Sequence, residues 1–240
     1  MEFYELTIAV FGIPIHVIDI FGLAWFIASW FGYARYSDWQ YSKRVNLMRT
    51  MDMMRMRWMQ EMIRRENRVV DATLIANLLR TIAFFASTTI IILIGLVTVL
   101  GSQAQGMKLV STVPFAAGVS PFMWEIKIMV LSSLFIYAFF KLTWSLRQYN
   151  YASILVGAAP AHTKPDAELE EYARRLGRLV SNAGRHFNMG LRAYYFGLAA
   201  ASWFINATLF IALTTLIVWV VFRREFRSHA VNHIAGLETV

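Results

Sequence analysis

Apolar residues dominate four long stretches of the chain, at about 16–35, 77–101, 122–144 and 194–222. Each reaches or exceeds the roughly 20 residues an α-helix needs to cross hydrocarbon. Between the first two, apolar and polar positions recur with helical period instead. On a wheel of 44–65, Leu47, Met48, Met51, Met54, Trp58, Met59 and Met62 share one face. Arg49, Asp52, Arg57, Gln60, Glu61 and Arg64 share the other, with Met53, Met56 and Arg55 as exceptions. Neither Gly nor Pro occurs from Tyr33 to Ile94, so helix is expected throughout. The two pairs suited to reversing the chain are Ser37-Asp38 and Glu66-Asn67.

A second amphipathic segment precedes the fourth span. In TKPD, Thr163 caps, Pro165 falls in the first turn and Asp166 lies three residues on. Glu168, Glu170 and Glu171 come before Arg174, Arg175 and Arg178, the order that the helix dipole favours. Leu169, Tyr172, Leu176, Leu179, Ala183 and Phe187 make an apolar stripe. No segment alternates as a strand does. The pattern predicts a single all-α integral membrane domain over 1–240. It has four transmembrane helices and two amphipathic cytoplasmic helical segments, at about 39–68 and 163–190.

Composition strengthens that reading. Hydrophobic residues make up 58% of the chain and charged ones 16%, against roughly 45–50% and about 25% in soluble domains; mean hydropathy is +0.48. Charge then sets the orientation. The 35–76 connection carries Arg35, Lys43, Arg44, Arg49, Arg55, Arg57, Arg64, Arg65 and Arg68, and the 145–193 connection carries Arg147, Lys164, Arg174, Arg175, Arg178, Arg185 and Arg192. The 102–121 loop has Lys108 alone. Both basic connections are therefore expected in the cytoplasm, with the N-terminus and the loop outside. The residues before the first span carry Glu2 and Glu5 but no Lys or Arg, so no cleaved signal is expected. The tail resists this scheme. It begins FRREFR, with Arg223, Arg224 and Arg227, yet four crossings put it outside. The alternative is that one span is re-entrant or interfacial, which puts the tail inside.

The net charge of +8 follows from the same orientation rule, and no nucleic-acid motif accompanies it. Cysteine is absent, which excludes disulfides and thiolate chemistry. Of the twelve methionines, seven lie between 48 and 62. Thioethers suit Cu(I), but the interleaved arginines repel a cation and Met also suits adaptable apolar surfaces. Met51, Met54 and Trp58 are therefore assigned to lipid or a partner helix. His229 and His233 are spaced i, i+4 without a third ligand nearby, and only His16 borders a span. With no G-x-S-x-G, H-E-x-x-H or Gly-rich phosphate loop, no enzyme activity, metal or cofactor is expected.

Polar residues within spans are costly and therefore informative. On span two, Asn77, Arg80, Ser87, Thr88, Gly95 and Thr98 recur at three- and four-residue spacing beside Phe84 and Ile91. Asp19, Glu125, Lys127, Lys141 and Asn206 lie in or at the ends of the other spans, and Arg147 and Asn150 follow span three in RQYNYASILVGA. The plainer reading lets Lys127, Lys141 and Arg147 snorkel to headgroups and lets the hydroxyls and amides bond between helices. Snorkelling does not explain a polar face that continues past Arg80, whose anionic partners near the inner side are Asp71, Glu66 or lipid phosphate.

The basic Arg/Trp/Met segment running into NRVVDATLIANLLRTIAFFASTTIIIL, followed by RQYNYASILVGA, resembles the domain of unknown function 599 family of bacterial and plant membrane proteins. The resemblance covers roughly 15–225 and implies a multi-pass protein with no assigned activity. It marks Asn77, Arg80, Thr88, Arg147 and Asn150 as positions of interest without giving them a role. The expectation is a homo-oligomer in the bacterial inner membrane, with the bilayer and anionic lipid headgroups as its surroundings. Its copies form a polar pathway for a small anionic solute, lined by Asn77, Arg80, Ser87, Thr88, Arg147 and Asn150. The alternative is a scaffold or accessory subunit that binds proteins and anionic lipid through its cytoplasmic helices.

Overall fold

Long runs free of helix breakers become long helices. The computed structural model describes residues 7–10, 13–43, 46–114, 118, 120–161 and 165–226. Its helices are α1 (Val17–Lys43), α2 (Leu47–Arg64), α3 (Val69–Gly101), α4 (Gln103–Ser111), α5 (Pro121–Gly157), α6 (Asp166–Ser202) and α7 (Ala207–Phe226). Four stretches are long and apolar enough to cross a membrane: Val17–Gln40 within α1, and α3, α5 and α7. From Val17 onward the described residues thus form an all-helical protein of the membrane-spanning kind. At 33 residues, α3 is about 50 Å long, well beyond the roughly 30 Å of hydrocarbon.

A short antiparallel pair precedes α1. Strands β1 (Thr7–Val10) and β2 (Ile13–His16) set Thr7 opposite His16 and Val10 opposite Ile13. Two four-residue segments are too brief to display an alternation, although TIAV and IPIH hold the β-branched residues strands favour.

The turns correct two expectations. Helix α1 continues through Ser37 and Asp38, and Asn46 opens α2 by accepting the Arg49 N–H at 2.8 Å. Glu66-Asn67 does reverse the chain, with the Asn67 side chain accepting the Val69 N–H at 2.9 Å. The expected span 194–222 is not one helix. Helix α6 starts at Asp166 and ends at Ser202, the chain turns at 203–205, and Asn206 opens α7 by accepting the Leu209 N–H at 2.7 Å. Asn206 therefore caps a helix instead of sitting inside one. Thr163, the expected cap of α6, lies outside the described residues.

The chain packs as two compact units. The first comprises 1–42, 91–136 and 192–223, the second 43–90, 137–191 and 224–240. In the first, Phe26, Leu131, Phe135, Phe196, Trp203 and Phe210 belong to one hydrophobic core. Its contacts fix helix directions. Along α1, Asp19 meets Trp203, Trp30 meets Phe196 at 4.9 Å, and Tyr33 lies under the Arg192 guanidinium at 5.0 Å, so α6 runs antiparallel to α1. In turn, Phe26 meets Phe210 at 5.2 Å and Tyr36 meets Phe222 at 6.1 Å, so α7 runs parallel to α1. A Cβ on Gly197 would lie 2.9 Å from the Phe135 ring. Any side chain at 197 would have to push that ring aside where α5 and α6 pack.

In the second unit the apolar face of α2 is packed. Met59, Met62 and Ile63 are fully buried, together with Ile75 and Ile82 of α3, Leu142 and Tyr149 of α5, and Leu176 and Val180 of α6. Met51, Met54 and Trp58 are half-buried.

Candidate functional site

Helix α3 buries Asp71, Ile75, Ile82, Ala86 and Thr89. The opposite face therefore looks outward. Asn77, Arg80 and Ser87 are exposed, Thr88 is half-buried, and Gly95 and Thr98 further along are exposed as well. Within this chain the polar row encloses nothing; its residues lie on the surface of α3. The hydroxyls are satisfied locally, since Thr81, Thr88 and Thr98 donate to the carbonyls of Asn77, Phe84 and Ile94 at 3.0, 2.8 and 2.9 Å. No carboxylate among the described residues pairs with Arg80.

One of the three expected partners of Arg80, Asp71, is engaged elsewhere. Asp71 is 0% exposed, and its Oδ1 accepts from the Trp58 indole and from Arg65, each at 2.7 Å. That carboxylate joins the end of α2 to the start of α3 across the turn. Nearby, Arg68 donates to the carbonyls of Ala159 and Pro160 at 2.9 and 2.8 Å, fixing the chain beyond α5. Trp58 thus has a polar duty that a reading of its face as purely apolar overlooks.

The RQYN stretch divides differently from expectation. Arg147 and Asn150 are exposed, and the Arg147 Nε donates to the Tyr151 hydroxyl at 2.8 Å. Their neighbours Gln148 and Tyr149 are the buried pair. Tyr149 lies beside Arg55 of α2, which bonds Asp52 at 3.0 Å, while Arg185 of α6 approaches the other oxygen of Asp52 at 3.5 Å. Asp52, expected on the solvent face of α2, is buried between two guanidiniums. A Cβ on Gly184 would lie 2.6 Å from the Arg55 guanidinium carbon, so glycine is what seats Arg55 there. Beside this group, burial first, then the charges of Lys141 and Arg185, hold the His186 imidazole below its usual range.

A second polar centre lies in the first unit. Lys127, 3% exposed, donates to the Trp203 carbonyl at 2.9 Å and lies 3.6 Å from Asp19. The Trp203 indole donates to the same carboxylate at 2.6 Å. Lys127 is therefore a buried ion-pair partner and does not snorkel. It takes up a carbonyl that the break between α6 and α7 releases from helical bonding. Opposite charges on two expected spans, both near the outer ends, were the signal in the sequence. His229 and His233 lie outside the described residues.

A family model described as a protein of unknown function, DUF599, matches residues 21–230. The chain belongs to the DUF599 family. The match takes in α1 from Phe21 onward and all of α2 through α7, and with them the outward row of α3 and both polar centres except Asp19. No curated protein and no solved structure matches the chain. Within the matched residues, N-x-x-R and Ser-Thr-Thr lie on α3 and RQYN on α5.

Proposed function

We propose that this DUF599 protein is a homo-oligomer of the bacterial inner membrane whose copies bring α3 faces together around a polar pathway for a small anionic solute. One observation carries the reading: Asn77, Arg80 and Ser87 stand exposed on a helix long and apolar enough to cross a membrane. Left against lipid, a central arginine costs about 2.5–3.5 kcal/mol on insertion scales, less near the interface. Copies that share the face remove that cost. Arg80 then supplies a planar fork for a carboxylate or phosphate. Beyond it the threonine hydroxyls spend their protons on their own helix and present lone pairs, which suits a solute that carries hydrogen-bond donors beside its negative group. Arg147 and Asn150 are surface residues of α5 in the same reading, and no chemical step is assigned.

A scaffold role is the second reading, favoured by a notch of about 170 Å³ between α2 and α6. Gln60, Arg64, Asp166 and Glu170 line it with both signs of charge, as a docking site for a polar segment of another protein would require.

The test is the behaviour of Arg80 variants in proteoliposomes, with particle mass and small-anion flux as readouts. Arg80→Leu is expected to abolish flux. Arg80→Lys is expected to lose most of it, because a point charge does not reproduce the fork. Wild-type flux and mass in the Lys variant would remove Arg80 from the pathway. A monodisperse monomer that conducts nothing would favour the scaffold.

A further inference from the structure

Helices α1 and α7 lie parallel without closing fully on each other. Between them runs an open apolar groove of about 580 Å³, lined by Trp25, Gly32, Tyr33, Tyr36, Trp219 and Phe222 among others. Its far end is closed where the Trp25 indole donates to the Thr215 hydroxyl at 3.1 Å. From there to Tyr36 and Phe222 is about three turns of α1, roughly 16 Å at 1.5 Å per residue. That is half of the roughly 30 Å hydrocarbon thickness, the depth of one leaflet. At the open end the Arg223 guanidinium stands over the Trp219 ring at 5.6 Å, and no carboxylate among the described residues pairs with it.

We infer that this groove is a binding site for one anionic phospholipid, with an acyl chain laid between α1 and α7 and the phosphate on Arg223. Three features select that occupant. The groove is one leaflet deep and stops at a hydrogen-bonded bar, so it accepts a chain that enters from one surface. Its walls are aromatic and aliphatic. None of the described residues that line it is charged, and the guanidinium at its mouth is suited to two oxygens of a phosphate. Gly32 leaves the floor open, since a Cβ there would meet nothing within 4 Å. The inference is independent of the pathway reading, because α3 contributes nothing to the groove.

The experiment reconstitutes the protein into vesicles of phosphatidylcholine with a minority of phosphatidylglycerol, extracts it, and reads the retained lipid by native mass spectrometry. Wild type is expected to retain phosphatidylglycerol enriched over its share of the vesicle. Arg223→Gln is expected to lower that enrichment by about tenfold, the worth of a hydrogen bond to a charged group, while phosphatidylcholine is still retained. Gly32→Phe fills the floor and is expected to lose both lipids, with its melting profile confirming the fold. Enrichment unchanged in both variants would mean ordinary annular lipid and overturn the proposal. A change of particle mass in Gly32→Phe would identify a second copy as the occupant and overturn it as well.

Discussion

An ammonium inside a span survives only with partners that replace water, and Lys127 has them in Asp19 and the Trp203 carbonyl. Removing one partner leaves the other charge buried, which costs about 3–5 kcal/mol, whereas removing both together costs much less. Lys127→Met and Asp19→Asn are each expected to lower the melting temperature in detergent sharply. The double variant is expected to recover a good part of the loss. If the double is as unstable as the sum of the singles, the two residues are not coupled and the centre is not an ion pair. The same logic makes Asp71 the more sensitive carboxylate at the α2–α3 turn, since Trp58 and Arg65 both depend on it.

At the scale of the element, α2 shows what a helical wheel conveys and what it conceals. The Met face was legible because apolar side chains three and four residues apart must find cover, and Met59 and Met62 are fully buried. Changing Met51, Met54 and Trp58 together to Gln is expected to lower the melting temperature, and Met59→Ala alone by the equivalent of about 2–5 kcal/mol. Unchanged melting in both would show the face to be dispensable. Asp52 was not legible, because a wheel sorts a carboxylate to water and cannot know that Arg55 and Arg185 converge on it. In the RQYN stretch the buried pair was hidden for a related reason. Arg147 and Asn150 carry the stronger polar signal, but the phase of α5 turns Gln148 and Tyr149 inward. On α3 the polar row was legible as a row. Whether it faced a protein interior or the outside was not, since both arrangements give the same period, and burial of Ile75, Ile82 and Ala86 decides for the outside. The second half of α6 was concealed most completely. A helix that meets lipid must be apolar, but one surrounded by other helices need not be. Ala193, Phe196, Ala199 and Ala200 are buried there while Arg192 lies over Tyr33, so no apolar run sets this segment apart from the next.

At the scale of the whole molecule, that concealed segment reopens the topology. In the first unit α6 passes alongside α1 in the opposite direction from the level of Tyr33 to that of Asp19, and α7 returns from the level of Phe26 to that of Tyr36. If the layer that α1 crosses is the bilayer, α6 supplies a fifth pass beside the four apolar ones. Five passes put the two ends of the chain on opposite sides. With the N-terminus outside, Arg223, Arg224 and Arg227 then join the basic segments 35–76 and 145–193 in the cytoplasm, and Lys108 is left alone outside. The basic tail stops being an exception to the positive-inside rule. Because the chain has no cysteine, single cysteines report sidedness without background. In intact cells, Gln105→Cys is expected to react with a membrane-impermeant thiol reagent. Gln60→Cys, Glu170→Cys and Ser228→Cys are expected to react only after the membrane is opened. Labelling at Ser228 with protection at Gln60 and Glu170 would restore four crossings and leave α6 a helix that does not traverse. Labelling at Gln60 would invert the whole arrangement.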